Sequence, residues 1–317
     1  MSLVGRQRTI LVTGEAIGDF IPRDGDGRHY EAVLGGSGFN AALALARFGA
    51  DAAYAGALST DALGARFRAA LALEGIRSDL IRDSARPSAV AIVSPLAADG
   101  VPEFALHLEE TAHAEPQGTP RSLPAGVIHL HAASFGATSG QSGAATLALM
   151  QDAKANGASV SYDVNIRPSA LPAREAALAL IESRIALSDI VKASLDDIAW
   201  MYPGEEAAIA ARRWRRLGAR LVLVTRGPDG ASAHGDGDMV SAPAPMVVVS
   251  DTVGAGDCFI GGFLAVLAAR GRLGPGFASA TPDDIAAALA FACEVAADSC
   301  ARPGCDPPRR SAWEERR

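Results

Sequence analysis

Asp251-Thr252-Val253-Gly254-Ala255-Gly256-Asp257 leads directly into a long apolar run, with Phe259, Ile260, Phe263, Leu264, Val266 and Leu267 at helical spacing. Two glycines therefore stand in a turn that opens a helix. Such a turn aims backbone N–H groups and the positive end of the helix dipole at one point, which attracts phosphate oxygens. Asp257 puts a carboxylate beside that point. An anion hole next to a proton acceptor is what phosphoryl transfer to an alcohol needs.

Working outward from this turn, short β-rich runs alternate with Ala/Leu-rich helical ones. Candidate strands are 9–13, 52–58, 126–131, 159–164, 189–192 and 221–225. Candidate helices are 39–48, 61–74, 143–156, 174–187 and 205–217, and Gly49, Gly75 and Gly157 stop three of them. The alternation predicts a single doubly wound α/β domain, a mostly parallel sheet with helices on both faces. Ligands of such sheets collect at the carboxyl ends of the strands. Two segments break the pattern. Residues 20–34 lack a helical period, and 87–108 read as a hairpin turning near Asp99-Gly100. Together they are expected to form a small β-sheet lid over the domain. The polar stretch 307–317 is expected to fray.

The formal net charge of −7 argues against nucleic acid or an anionic membrane as partner. The chain has only two lysines, Lys154 and Lys192, and neither follows a glycine. A Gly-x-x-x-x-Gly-Lys phosphate loop is thereby excluded, and any phosphate grip must be built from backbone donors. The four cysteines, Cys258, Cys293, Cys300 and Cys305, form no Cys-x-x-Cys pair. With no apolar leader and no membrane-length apolar run, the cytoplasm is the expected compartment. His129 and His131 share a strand face, but no third ligand accompanies them, so they read as pocket or core residues rather than a zinc site.

Four motifs in order then carry a resemblance. They are Gly14-Glu15 with Asp19, Gly35-Gly36-Ser37-Gly38-Phe39-Asn40, Asp163-Val164-Asn165-Ile166-Arg167-Pro168, and Asp251 to Asp257. Over nearly its whole length the chain resembles the ribokinase-like (PfkB-type) carbohydrate kinases. Lys192-Ala193-Ser194 and Thr225-Arg226-Gly227 look like the bacterial fructokinase branch. The resemblance implies ATP-dependent transfer of the γ-phosphoryl group to a primary hydroxyl of a monosaccharide, with fructose favoured. Ribokinase, 2-keto-3-deoxygluconate kinase and nucleoside kinase activities are the alternatives within the family.

The resemblance also implies roles. Asp257 is the expected base, with Gly254, Ala255 and Gly256 as the anion hole. Asp19, Gly35, Gly36, Asn40, Arg167 and the lid residue Phe104 are expected at the sugar. Thr225, Gly227 and Gly230 are expected along the nucleotide. The Asn-x-x-Glu pattern that organises Mg²⁺ in relatives is matched here only by Ser194 and Asp197, which leaves Asp197 as the candidate metal residue. A monovalent cation, K⁺, is implied near Asp251, with Ser299 and Gly304 in the same loop. Self-association through exposed lid edges into a homodimer is also expected. Two readings of other classes compete. One is an NAD-linked oxidoreductase built on Gly36-x-Gly38-x-x-Ala41. The other is a non-catalytic sugar-binding regulator, against which the intact Gly254 to Asp257 turn argues.

Overall fold

The computed structural model describes residues 8–24, 26–94, 104–115, 117–302 and 304–310. A nine-stranded sheet forms its centre. The strands are β1 (Thr9–Thr13), β4 (Ala52–Ser59), β5 (Ile81–Ser84), β8 (Val127–Ala133), β9 (Ser159–Asp163), β10 (Ile190–Ser194), β11 (Leu221–Thr225), β12 (Ala231–His234) and β13 (Val240–Ala242). Their spatial order is β13-β12-β11-β10-β9-β8-β1-β4-β5. From β11 through to β5 all neighbours are parallel, and β12 and β13 close one edge antiparallel. The chain moves outward from β1 through β4 to β5, then returns to β8 on the other side of β1. That reversal is the switch point at which such sheets open a crevice.

Both faces of the parallel strands are covered, so these strands are apolar throughout rather than alternating. Along β1, Ile10 and Val12 join one core and Leu11 the other. The first core packs under α1 (Ser37–Arg47), α2 (Ala62–Leu73), α8 (Ala255–Ala269) and α9 (Pro282–Cys300). The second packs under α4 (Gly140–Ala155), α5 (Arg174–Ile185), α6 (Leu195–Met201) and α7 (Ala207–Leu217), with Trp214 fully buried in it. A short helix, α3 (Ser134–Thr138), turns the chain from β8 toward α4. Helix α8 lies unusually close to its neighbours. A Cβ at Gly261 would meet the Ala44 side chain at 2.4 Å, and one at Gly262 would meet Val295 at 2.7 Å. These glycines let α8 settle between α1 and α9, which fixes where its amino end points.

The remaining strands form the lid. They are β2 (Ile17–Pro22), β3 (Tyr30–Gly35), β6 (Val90–Val93) and β7 (Phe104–His107), in the order β3-β2-β6-β7. The expected hairpin is present as the antiparallel β6–β7 pair, with Val93 opposite Phe104. Its turn, including Asp99-Gly100, lies outside the described residues, as does the side chain of Phe104. The lid begins three residues earlier than the sequence suggested, because β2 leaves β1 almost at once.

The tail differs from expectation over its first residues. Pro307 and Pro308 are buried, Arg47 donates to the Pro307 carbonyl at 2.6 Å, and Arg309 pairs with Glu74 at 2.7 Å. Fraying therefore does not start at Pro307; residues 311–317 lie outside the described set. Among the described residues, no helix is long and apolar enough to cross a membrane.

Candidate active site

Gly254 caps α8 in the left-handed region, at φ 74°. An L side chain is disfavoured there, and a Cβ would in any case stand 2.1 Å from Cys305 Sγ. The first-turn amides that follow have no acceptor inside their own helix. Gly254, Ala255 and Gly256, the residues expected to form an anion hole, open this helix, and the Ala255 amide donates to the Thr252 carbonyl at 3.2 Å.

Asp257, in that first turn, is 6% exposed. Ser37 Oγ donates to its Oδ1 at 2.6 Å and Asn40 Nδ2 to its Oδ2 at 2.9 Å. Burial raises its pKa, while the two donors, Lys192 and Arg167 pull the other way. The result is a carboxylate held in one orientation and more basic than an ordinary aspartate, which suits a proton acceptor.

Asn40 Oδ1 is buried and has no hydrogen-bond partner. An orphaned acceptor beside Asp257 fits a hydroxyl donor such as a sugar supplies. Asp19, on the lid strand β2, sits opposite Val33 of β3. Gly35 makes room for it, since a Cβ at Gly35 would stand 2.1 Å from Asp19 Oδ2. Burial raises the Asp19 pKa to about 7, against the opposing Arg167 charge. Asp257 and Asp251 also push it up, so the expected sugar residues Asp19 and Arg167 lie within electrostatic reach of the α8 turn. Arg167 is exposed and donates to the Ile166 carbonyl at 2.9 Å.

Gly36 caps α1 next to a second buried acid. Glu15 accepts from Ser37 N at 3.1 Å and Gly136 N at 3.0 Å, tying α1 to α3, and burial raises its pKa to about 7.

The dinucleotide reading of Gly36-x-Gly38 does not survive. Helix α1 follows a lid strand rather than a buried central one. Gly38 instead allows α1 to rest on the end of β1, where a Cβ would meet Gly14 Cα at 2.7 Å.

On the other side of the α8 turn lies an apolar cleft of about 470 Å³. Thr225, Gly227 and Gly230 line it as expected, together with Ala255, Gly256 and Phe259. The residues expected at the nucleotide and the residues expected at the phosphoryl group therefore border one space. Exposed Met246, Val248 and Val249 stand at this part of the chain, and Met246 and Val249 line the cleft.

Asp197 does not fit a metal site. Its Oδ1 accepts from Ile166 N at 2.7 Å, and its Oδ2 from Ser194 N and Oγ at 2.7 and 2.8 Å. Oδ2 serves a capping box on α6, and Oδ1 pins the 165–167 turn. Among the described residues, no group of three or more His, Cys, Asp or Glu could hold a metal ion. Asp251 accepts from Val253 N and Gly304 N, each at 2.9 Å. The Cys300 carbonyl takes the Ser250 and Asp251 amides, and neighbouring Ser299 has a buried hydroxyl without a partner. Oxygen donors thus gather at the loop where a monovalent cation is expected.

Three contributors escaped the sequence reading. Ser37, named only as part of the Gly35 to Asn40 motif, makes no capping bond and holds Asp257. Asn165, at φ 34°, donates to Ser37 Oγ. Lys192 pairs with Asp163 at 2.9 and 2.8 Å while both are almost fully buried. Its signal was available: a lysine between Val191 and Ala193 in a strand buried on both faces. His129 and His131 are core residues bonded to Ser159 and Ser161, and burial lowers both pKa values to about 3.

The model of the pfkB family carbohydrate kinases matches residues 7–312. A fructokinase of Rhizobium leguminosarum bv. trifolii is 35% identical over 265 residues, covering 81% of this chain and 79% of that one. A crystal structure of fructokinase with bound ATP from Xylella fastidiosa superposes with a TM-score of 0.87 at 26% identity, covering 97% of this chain and 98% of that one. Aminoimidazole riboside kinase from Salmonella enterica, complexed with aminoimidazole riboside and an ATP analog, gives a TM-score of 0.80 at 25% identity, covering 94% and 95%.

Proposed function

The chain belongs to the pfkB family of carbohydrate kinases, ATP-dependent enzymes, and on that premise we propose that it transfers the γ-phosphoryl group to a primary hydroxyl of D-fructose. The observation that carries the reading is the placement of Asp257. It stands in the first turn of α8, between an apolar cleft on one side and the orphaned Asn40 acceptor on the other.

In the proposed reaction, Asp19, Asn40 and Arg167 hold the sugar, and Gly35 and Gly36 let backbone and carboxylate approach it. Phe104 is assigned to the sugar side by its place on the lid hairpin. Asp257 takes the hydroxyl proton as the oxygen attacks phosphorus. The bond from the γ-phosphorus to the bridging oxygen breaks, and ADP leaves with that electron pair. Positioned amides of residues 254–257 stabilise the charge spread over the phosphoryl oxygens. Thr225, Gly227 and Gly230 wall the nucleotide. Closure of the lid excludes water and so limits wasteful hydrolysis.

Among the described residues, no group of three or more His, Cys, Asp or Glu is gathered for Mg²⁺. An ion brought by ATP would be held by phosphates and water, as Mg²⁺ commonly is. For K⁺ we assign the Asp251 carboxylate, whose oxygens also take the Val253 and Gly304 amides, and the buried Ser299 hydroxyl; the ion would shape the turn leading into Gly254.

The test is ADP release measured with fructose, ribose, 2-keto-3-deoxygluconate and nucleosides, aminoimidazole riboside included, with Asp257→Ala beside the wild type. Fructose should give the highest kcat/KM. A clear preference for aminoimidazole riboside moves the assignment to the relative that resembles this chain with that ligand bound. Equal turnover by wild type and Asp257→Ala rejects the proposed base.

A further inference from the structure

Lys192 stands where a cation is costly. A Cβ built on Gly256 would meet Lys192 Nζ at 2.9 Å. Gly256 is the second residue of α8, so the ammonium lies beside the first turn of that helix. A positive charge there opposes the helix dipole. Burial lowers the ammonium's pKa, but the Asp163, Asp197 and Asp257 carboxylates together outweigh it and keep the group charged. Asp163 accepts from the ammonium with both oxygens. The described hydrogen bonds give Lys192 no other protein acceptor, so the ammonium keeps N–H capacity to spare. The only other lysine, Lys154, bonds Asp189 at the opposite, amino end of β10.

Neutralising Asp163 would not require this arrangement. A buried ion pair is often replaced by neutral groups without loss of stability. An ammonium with a spare donor, clamped against the electrostatic gradient at a helix amino end, is instead matched by an anion arriving from the ligand. The same contact explains Gly256. Its φ is not in the left-handed region, so backbone freedom is not what the position needs; space for Lys192 Nζ is.

We propose that Lys192 contacts the phosphoryl group in transfer, its free N–H and fixed charge filling the role of the lysine that a phosphate loop would supply. This rests on the kinase reading above. Asp163 is then a positioning residue, holding the ammonium under Gly256.

The test uses Lys192→Met/Asp163→Asn, which removes the charge without stranding a buried carboxylate. Calorimetry compares AMP-PNP with AMP on the folded protein. Loss of one charged hydrogen bond should weaken AMP-PNP by about tenfold or more, leave AMP unchanged, and lower kcat by about 10²-fold or more. If that variant does not fold, Lys192→Gln, which still donates to Asp163 but carries no charge, serves for the same comparison. Wild-type affinity for AMP-PNP in a folded, charge-free variant overturns the proposal. Should the wild type phosphorylate no sugar, the kinase reading falls, while the AMP-PNP to AMP comparison still decides whether Lys192 meets a γ-phosphate.

Discussion

Ser37 Oγ donates to Asp257 Oδ1 at 2.6 Å, joining the first turns of two helices whose residues lie 220 positions apart in the chain. The bond stabilises the ionised carboxylate, and its loss would let burial dominate further. The sign follows. A base works only when deprotonated, so kcat falls as pH drops through its pKa. Removing the donor raises that pKa, and in Ser37→Ala the acid limb of the kcat–pH profile should move to higher pH. An unmoved limb, or one displaced to lower pH, would mean that Asp257 is not the titrating base.

Asp19 offers a second pH handle, at the sugar end. Burial raises its pKa to about 7. Only the ionised form accepts hydrogen bonds from two hydroxyls. Sugar KM should therefore rise as pH falls through about 7, with kcat at saturating sugar less affected. In Asp19→Asn, KM should be high and flat over the same range. A wild-type KM indifferent to pH there would remove Asp19 from the sugar site.

Arg184 tests the scaffold. It is 1% exposed and donates to the Ala137, Leu180 and Gly143 carbonyls at 3.1, 3.0 and 2.7 Å. It thus stitches α3, α4 and α5 together. Arg184→Met keeps most of the volume but removes the links between the three helices and leaves the Ala137 carbonyl, at the end of α3, without this donor; it should cost about 2–4 kcal/mol of stability. Denaturant unfolding reads this directly. A loss below about 1 kcal/mol would show that water replaces the guanidinium.

Among the described residues, the lid sheet ends in edges on β3 and β7. Tyr30 and Ile92, both partly exposed, add apolar surface to it. Pairing of two lids is the expected mode of self-association. Sedimentation equilibrium should then show a dimer. Only monomer at high concentration would rule it out.

Much of this architecture could be read along the chain. The strands 9–13, 159–164 and 221–225 fall within a residue of where the periodicity put them, because a parallel strand buried on both faces is a continuous apolar run. The short edge strands β5, β12 and β13 left no such signal, and α6 is too brief to show a period. Asp197 carries a different lesson. A carboxylate three residues after a serine announces a capping box, which Ser194 and Asp197 do form, but nothing local announces that its other oxygen takes Ile166 N from the turn after β9.

The sequence by itself determined the class of chemistry: a glycine turn with Asp257 at a helix start, and no lysine-bearing phosphate loop. It could do so because those features depend on neighbours within one turn. Tertiary structure alone decided what surrounds Asp257. Ser37 and Asn40 arrive from α1, Asn165 from the turn after β9, and Lys192 from β10. These partners meet because the chain reverses between β1 and β8 and because Gly261 and Gly262 let α8 drop between α1 and α9. Closeness of that kind is set by packing across the whole domain, and no local spacing encodes it.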